Sequence, residues 1–213
     1  MYIIAVYFSA VNTLFTKWKF YDTLYTVIQV TKKELRAEIR SIISGLSAEY
    51  KEAAGKAIEE NILHSPAFIN ARSVFIYVST ENEPDTSHII KEALEAGKRV
   101  FVPKCLYKGV MIPVKLSPDT VFESGYMGIS EPAEYDLSIS VTEIDLSLIP
   151  CLTANENGER LGHGAGFYDR FLSGVKTEKM CLCFGKILSD NIPTDGYDIK
   201  MDYVVTENGI LKM

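Results

Sequence analysis

The alternation of short apolar runs with amphipathic segments is the feature that most limits the fold of this chain. Apolar runs typical of buried strands occur at 73–79, 99–104, 110–116, 146–152 and 180–185. Segments whose apolar residues recur every three or four positions occur at 32–44, 48–64, 88–96 and 167–173. Strands that alternate with helices predict an α/β fold with a mostly parallel central sheet and helices on both faces.

Polar residues and one glycine mark the predicted helix boundaries. Ser47 precedes the segment 48–64 and Thr86 precedes 88–96, and a hydroxyl at such a position can accept a hydrogen bond from the first helical turn. Gly97 is predicted to end the second of these helices. No repeat or linker interrupts the chain after residue 30, so we expect a single domain over 31–213.

Charge and cysteine usage exclude several classes of function. The formal net charge of −6 argues against general nucleic-acid binding, which normally requires a basic surface. The four cysteines and three histidines show no zinc-binding spacing. Cys151, Cys181 and Cys183 lie in apolar runs, so we interpret them as reduced, buried thiols of a cytoplasmic protein. No GxSxG motif is present, and nucleophilic catalysis has no support in the sequence.

The first thirty residues differ from the rest. Their first sixteen carry no charge, yet this run is shorter than the roughly 20 apolar residues of a spanning helix. Its charges follow the apolar part, whereas a signal peptide places them in front. Two interpretations stay open, a shallow membrane association or an extension outside the domain that arises from an early start. We expect residues 1–30 to lie outside the domain and no stable membrane partner.

The stretch 160–170, RLGHGAGFYDR, combines a bare backbone with charge. Gly162, Gly164 and Gly166 leave N–H groups uncovered at the start of a predicted helix, where the dipole favours anions. Arg160 can pair with phosphate oxygens, and Asp169 suits a magnesium ion that bridges phosphates. The alternative is a glycine-rich turn with a helix-capping carboxylate. The string matches neither a P-loop nor a Rossmann fingerprint.

Three loops are predicted to meet at one edge of the sheet. The loops at 80–85, 154–166 and 186–198 follow predicted strands, and the carboxyl ends of parallel strands form the ligand site of such sheets. Glu83, Asp169 and Asp198 lie in these loops or just after them. The glycine-rich loop is therefore expected to belong to a larger site.

The string NGERLGHGAGFYDRFL resembles the signature of the 5-formyltetrahydrofolate cyclo-ligase family, commonly NG-x-RLG-x-G-x-GYYDR-x-L. The resemblance extends over about 31–206, with a KKELR opening, an ENEPDT loop and a closing YDIKMD. It implies a three-layer α/β/α fold like those of ribose-5-phosphate isomerase and the coenzyme A transferases. It also implies ATP- and Mg²⁺-dependent conversion of 5-formyltetrahydrofolate, with or without a polyglutamate tail, into 5,10-methenyltetrahydrofolate. We expect a monomer.

The resemblance also implies roles for individual residues. The basic pair that contacts nucleotide is Lys32 and Arg36, which with Arg160 and Tyr168 form the expected catalytic set. The ATP loop corresponds to Arg160, Leu161, Gly162, His163, Gly164, Ala165, Gly166, Phe167 and Tyr168. The folate positions correspond to Val78, Glu83, His163, Gly164, Ala165, Gly166 and Phe167. The magnesium carboxylates correspond to Asp169 and Asp198.

Each of these residues has a simpler interpretation. Lys32 and Arg36 lie four positions apart, and with Arg40 they could form a solvated helix face. Glu83 could be a surface acid, and Tyr168 could be either a core aromatic or a stacking platform. At the level of the protein, the alternatives are a non-catalytic folate- or nucleotide-binding protein and a sugar-phosphate or acyl-transfer enzyme.

Two positions depart from the family signature. Phe167 replaces the first tyrosine, so the hydrogen bond of that hydroxyl is lost while ring packing is kept. Ala165 occupies a variable position where relatives can carry a cation that would help to hold phosphate.

Overall fold

The computed structural model describes residues 30–107, 109–137 and 142–213, so the extension predicted at 1–30 lies outside the described residues except for Val30. Lys32–Met213 forms one compact unit. Its helices are α1 Lys32–Gly45, α2 Ala48–Leu63, α3 Pro66–Asn70, α4 Ser87–Glu95 and α5 Phe167–Gly174. Its strands are β1 Ser73–Ile76, β2 Arg99–Cys105, β3 Met111–Lys115, β4 Phe122–Ser124, β5 Ser130–Pro132, β6 Glu143–Pro150, β7 Thr153–Ala154, β8 Arg160–Leu161, β9 Lys176–Leu182, β10 Tyr203–Thr206 and β11 Gly209–Lys212.

A seven-stranded sheet of order β11-β10-β9-β6-β1-β2-β3 forms the centre of the unit. The five strands from β10 to β2 run parallel, and β11 and β3 join them antiparallel at the two edges. Val74 of β1 pairs with Val100 on one side and Leu146 on the other, and all three side chains are buried. Helix α2 packs against β10, α4 against β2 and α5 against β3. The predicted α/β fold with a mostly parallel sheet is confirmed.

The strand boundaries correct three predictions, one of which is the strand predicted at 146–152, which spans Glu143–Pro150. The strand predicted at 73–79 ends at Ile76, because the chain then turns back on itself. Tyr77 donates its hydroxyl to the Pro84 carbonyl over 2.8 Å, and the hydroxyl of Thr86 donates to the Tyr77 carbonyl over 2.7 Å. The strand predicted at 180–185 begins earlier, at Lys176, and ends at Leu182.

Several small elements were not predicted from the sequence. They are α3, the β4–β5 and β7–β8 hairpins and the edge strand β11. Helix α3 did carry a signal, because Ser65 caps it and Pro66 occupies its first turn. The β4–β5 hairpin has exposed residues on β4 and no clear apolar alternation, so its sequence does not indicate a strand.

The two predicted helix caps have different outcomes. Ser47 caps α2 as predicted, since its hydroxyl accepts the Tyr50 N–H over 3.2 Å. Thr86 stands at the start of α4 but makes no capping hydrogen bond. Asp85 takes that role, because one of its carboxylate oxygens accepts the Ser87 N–H over 2.9 Å. The hydroxyl of Thr86 is instead used to close the loop after β1.

The core confirms that the three cysteines in the apolar runs are buried thiols. Cys151, Cys181 and Cys183 are free and buried beside the central strands. Burial raises the pKa of the Cys181 thiol well above its usual value, so this group stays protonated and unreactive near neutral pH. Among the residues described, no helix has both the length and the apolar character needed to cross a membrane.

Candidate active site

The three loops at the carboxyl edge of the sheet come together as predicted. His163 of the glycine-rich loop has its Nε2 atom 3.5 Å from Oε1 of Glu83, which follows β1. Asp169, at the start of α5, accepts the N–H of Ile199 over 3.2 Å through Oδ1. The first contact joins the loop 80–85 to the loop 154–166, and the second joins the helix start that follows the loop 154–166 to the residue that follows the loop 186–198.

The glycine-rich loop leads from β8 into α5 with a conformation that favours glycine. Gly164 and Gly166 have φ angles of +109° and +68°. A Cβ atom on Gly164 would lie 3.2 Å from Cζ of Arg36, and one on Gly166 would lie 2.9 Å from Nη1 of Arg170. Within the described ranges no side chain caps the N-terminus of α5, where the N-cap is Gly166, so the first N–H groups of this helix are available to an anion.

Arg160 is a buried cation with an unused donor. Its side chain is 3% exposed, and Nη2 lies 2.9 Å from Oδ1 of Asp169. Nη1 donates to the Pro150 carbonyl over 3.3 Å, and the guanidinium lies 5.7 Å from the centre of the Tyr168 ring. Nε is buried and has no hydrogen-bond partner within the described parts of the chain. An unsatisfied buried donor costs about 1–3 kcal/mol, and an oxygen ligand would remove that cost.

Helix α1 carries two cations that contact the loops of the site. Its apolar face, formed by Leu35, Ile39 and Ile43, packs into the core. Lys32 has its Nζ atom 2.8 Å from Oδ2 of Asp195 and 2.5 Å from Oδ2 of Asp198. Arg36 donates from Nε to the Gly162 carbonyl over 2.9 Å. Lys32 and Arg36 are therefore not part of a solvated face, whereas Arg40, one turn further on, is exposed.

The charge state of Lys32 is set by its two carboxylate partners. Partial burial alone would lower the pKa of Lys32, but the hydrogen bonds to Asp195 and Asp198 raise it above its usual value. The same ammonium group lowers the pKa of Asp195. Lys32 is thus a full cation at neutral pH. Asp195 was not predicted as a site residue, although its position three residues before Asp198 in a polar loop was a usable signal.

The two predicted metal ligands are not equivalent. Among the residues that the structure describes, Asp169 uses only Oδ1, for Arg160 and Ile199, and its side chain is 23% exposed, so Oδ2 is available. Asp198 has both oxygens occupied, by Lys32 and by the N–H of Asp195.

No group of three or more His, Cys, Asp or Glu residues able to hold a metal occurs in the described segments. Mg²⁺ is usually held by one or two carboxylates together with phosphate and water oxygens. Asp169 fits such a shared ion, and Asp198 fits it only if Lys32 moves away.

The aromatic residues after the glycines have mixed roles. The Tyr168 ring is partly buried, packs edge-on against Phe75 of the core at 6.4 Å, and has the Arg160 guanidinium 5.7 Å from its centre. Burial, followed by the charge of Glu83, raises the pKa of the Tyr168 hydroxyl well above its usual value. Leu161 is fully buried, so only its backbone can reach a ligand.

A cavity of about 470 Å³ opens beside the glycine-rich loop. Its walls include Ala165 and Phe167 from the loop and Tyr126 from the turn between β4 and β5. The rings of Tyr126 and Phe167 lie 5.1 Å apart in an edge-to-face arrangement. Arg170 reaches from the cavity wall to the Gly109 carbonyl over 2.9 Å. Neither Tyr126 nor Arg170 was predicted, because Tyr126 is distant in sequence and Arg170 follows the expected ligand residues.

The sequence profile of the 5-formyltetrahydrofolate cyclo-ligase family matches residues 28–207. The chain belongs to this family. Two curated relatives agree along nearly their whole length. A probable 5-formyltetrahydrofolate cyclo-ligase of Caenorhabditis elegans is 31% identical over 85% of this chain and 95% of its own. The mouse 5-formyltetrahydrofolate cyclo-ligase is 28% identical over 85% and 96%.

Solved structures give the same result for this cyclo-ligase family member. A 5,10-methenyltetrahydrofolate synthetase of Aquifex aeolicus superposes with a TM-score of 0.73 at 28% identity, over 85% of this chain and 92% of its own. The corresponding Mycoplasma pneumoniae synthetase superposes with a TM-score of 0.64 at 20% identity and supports the fold alone. The expectation that the protein is an enzyme of this family is confirmed.

Glu83, the acidic residue in the loop after β1, has an enclosed side chain. The Glu83 side chain is 9% exposed, and Oε2 accepts the N–H and the hydroxyl of Thr80, each over 2.9 Å. Oε1 faces His163. The interpretation of Glu83 as a surface acid is therefore wrong. Val78, the other residue predicted to contact folate, is partly buried and packs against the core.

Proposed function

We propose that the protein catalyses the ATP- and Mg²⁺-dependent cyclisation of 5-formyltetrahydrofolate to 5,10-methenyltetrahydrofolate, with release of ADP and phosphate. The observation that carries the proposal is that Arg36 and Arg160 lie at the glycine-rich loop of a cyclo-ligase family member, with Lys32 one helical turn from Arg36 and bound to the loop 186–198. Three cations beside an uncapped helix start are suited to a polyphosphate. A cytoplasmic location and a monomeric state remain predictions.

The nucleotide phosphates would lie on the glycine-rich loop. Phosphate oxygens would accept hydrogen bonds from the first N–H groups of α5 and from Nε of Arg160. Lys32 and Arg36 would approach from α1 on the other side. Magnesium bound to Asp169, and to Asp198 once Lys32 turns to phosphate, would supply neutralisation of phosphate charge. Ala165 contributes no charge, so Lys32, Arg36 and Arg160 would be the side chains that neutralise phosphate charge together with the metal.

The folate would lie on the side of Glu83 and Phe167. A carboxylate can accept N–H groups of a pterin ring, and Oε1 of Glu83, which lies 3.5 Å from Nε2 of His163, faces the loop for such a contact. Val78 and the backbone at Gly164 and Gly166 would complete the contact surface. Phe167 keeps the ring but lacks a hydroxyl, so its contribution is packing alone.

The chemistry we propose is activation of the formyl group by phosphoryl transfer. The formyl oxygen attacks the γ-phosphorus, and ADP leaves. N10 then attacks the formyl carbon and loses its proton, and the phosphate departs with the former formyl oxygen. The protein needs no covalent intermediate, because its residues position both substrates and neutralise charge.

The direct test is a mixture of the protein, ATP, Mg²⁺ and 5-formyltetrahydrofolate, followed by the absorbance of the methenyl product. With ¹⁸O in the formyl group, the label is expected in the released phosphate. Product without labelled phosphate would contradict phosphorylation of the formyl oxygen. Tight binding of both ligands without product would favour a non-catalytic binding protein.

Glu83→Ala is expected to weaken 5-formyltetrahydrofolate binding by about 10- to 100-fold and ATP binding by less than twofold. Removal of a hydrogen-bonding group from an enclosed site costs about 1–3 kcal/mol, and in the proposed arrangement the pterin, not the nucleotide, places its N–H groups against Glu83. Calorimetry with each ligand measures both effects. Glu81→Ala, an exposed acid in the same loop, is the matched control and should change neither. Equal decreases in affinity for both ligands in Glu83→Ala would mean that the loop has a structural role.

Lys32→Met is expected to weaken ATP binding about 10-fold. A charge-assisted hydrogen bond to phosphate is worth about 1.5–3 kcal/mol. Part of this is offset, because Lys32 must give up its ion pairs with Asp195 and Asp198 to reach the phosphate. Lys33→Met is the matched control, since Lys33 is the adjacent lysine and is exposed. Titration calorimetry of both variants with ATP makes the comparison. Similar ATP affinities for the two variants would remove Lys32 from the nucleotide site.

A further inference from the structure

A charge cluster lies under the hairpin that forms one wall of the cavity. Lys104 of β2 is 9% exposed, and its Nζ atom lies 2.8 Å from Oε1 of Glu123 in β4 and 3.7 Å from Oε2 of Glu131 in β5. It also lies 5.8 Å from the ring centre of Tyr135. The hydrogen bond to Glu123 outweighs burial and raises the pKa of Lys104 above its usual value. The cluster therefore contains a permanent cation that joins β2 to both strands of the hairpin.

Glu131 depends on that cation. The residue is 2% exposed, and Oε1 accepts the N–H of Cys105 over 3.3 Å. Oε2 is buried and has no hydrogen-bond partner in the described part of the chain, so the charge of Lys104 is its main compensation. Removal of one member of a buried ion pair is strongly destabilising because the other charge is left without a partner. Loss of Lys104 would thus weaken the attachment of β5 to β2 and leave Glu131, among the described residues, with the Cys105 hydrogen bond alone.

The position of Glu131 links this cluster to the cavity. A Cβ atom on Gly125 would overlap the Glu131 carboxylate, so the turn between β4 and β5 lies directly on this side chain. Tyr126 is the next residue, and its ring packs against Phe167 at 5.1 Å. A displacement of Glu131 would therefore be transmitted to the aromatic wall of the cavity.

We propose that Lys104 and Glu131 are positioning residues for the folate substrate, which act by holding Tyr126 against Phe167. The paired rings then offer an apolar wall to the aromatic part of the substrate. Tyr126 packs against Phe167, which the proposed function places on the folate side of the site. Loss of Lys104 is therefore expected to change folate affinity and not nucleotide affinity. This inference rests on the proposed function for the identity of the ligand.

The first test compares two lysines of the same region. Lys104→Met is expected to weaken 5-formyltetrahydrofolate binding about 10-fold and ATP binding by less than twofold, and Lys104→Arg should restore folate binding. Lys98→Met is the matched control. Lys98 is partly buried and donates to the Ile69 and Ala71 carbonyls near the opposite end of β2, so its loss should lower the melting temperature without changing either affinity. Unchanged folate affinity, or equal decreases for both ligands, in Lys104→Met would overturn the inference.

The second test separates positioning from general stability. In a double-mutant cycle, Lys104→Met should change folate affinity by less than twofold when Tyr126→Ala is already present, because the residue through which it acts is gone. Independent, additive decreases in affinity would contradict the inference.

A variant that preserves the buried pair guards against loss of folding. Should Lys104→Met fail to fold, Glu123→Gln tests the same cluster, since Glu123 is half-exposed and its loss keeps the pair of Lys104 and Glu131. We expect a decrease of about threefold in folate affinity, and no change would count against the inference. If the unmutated protein binds no 5-formyltetrahydrofolate, the proposed function fails by itself. If it binds and the Lys104 and Glu123 variants bind equally well, only the positioning role fails.

Discussion

Asp169→Asn is expected to lower turnover about 1,000-fold at fixed Mg²⁺, while 5-formyltetrahydrofolate still binds and the protein still melts cooperatively. Asparagine keeps an oxygen that can accept the hydrogen bonds of Arg160 and Ile199, but it loses the negative charge that a hard cation requires. Metal-ion stabilisation of phosphoryl charge amounts to several kcal/mol, and each 1.36 kcal/mol is a tenfold change in rate.

The Mg²⁺ dependence decides between two explanations of such a decrease. If Asp169 binds the metal, the Mg²⁺ concentration for half-maximal rate should rise at least about 10-fold in Asp169→Asn. If Asp169 only orients Arg160, the rate should fall while this concentration stays unchanged. ATP binding without Mg²⁺ should be equal or tighter in the variant, because a negative charge beside the phosphates is removed.

Asp145→Asn is the matched control for a structural carboxylate. Asp145 accepts hydrogen bonds from Arg72 and Ser73 near the start of β1, at the opposite edge of the sheet. Partial burial alone would raise the pKa of Asp145, but these hydrogen bonds lower it below its usual value. Its loss should therefore decrease stability without changing Mg²⁺ dependence. Normal turnover of Asp169→Asn would remove Asp169 from the catalytic set.

Arg160→Lys is expected to lower turnover about 100-fold, although the charge is preserved. Arginine reaches the Pro150 carbonyl and Asp169 at the same time and keeps Nε as a further donor, whereas a lysine has one nitrogen and no planar donor array. An arginine that stabilises phosphoryl-transfer charge is worth about 10³–10⁵ in rate, and the retained charge should recover part of that.

Steady-state kinetics with saturating ATP and folate measure this effect as a change in kcat. Arg40→Lys is the control, since Arg40 is an exposed arginine on the helix that carries Lys32 and Arg36. The variant of Arg160 should keep the fold, because lysine can still pair with Asp169. An unchanged kcat would mean that Nε of Arg160 does not meet the transferred phosphoryl group.

The fold class could be predicted because parallel strands buried on both faces require long apolar runs, and the crossovers between them require amphipathic helices. The runs around Val74, Val100 and Leu146 carry this signal, and all three are central strands. The β4–β5 hairpin could not be predicted in the same way. Its short strands are held by Lys104, Glu123 and Glu131, and ion pairs between distant residues leave no periodic pattern in the sequence.

The sequence predicted where the site lies better than it predicted which residues contact each other there. Parallel topology brings Glu83 near the glycine-rich loop, and the string of glycines before α5 fits either an anion site or a glycine-rich turn until the family resemblance is added. The partners of the charged residues could not be predicted. Lys32 pairs with Asp195 and Asp198, residues more than 160 positions away, and this pairing makes Asp198 unlike Asp169 as a metal ligand.

The sequence by itself determined the α/β class, the family and the edge of the sheet at which the site forms, because these depend on local periodicity and on a contiguous string. Only the tertiary structure decided which charges are engaged and which are free. Arg160 shows the difference. Its place in the family string predicts a contact with phosphate. Its Nε atom lacks a partner within the described residues because the side chain is buried among Pro150, Asp169 and Tyr168. Burial depends on how the whole molecule packs and not on the residues adjacent in sequence.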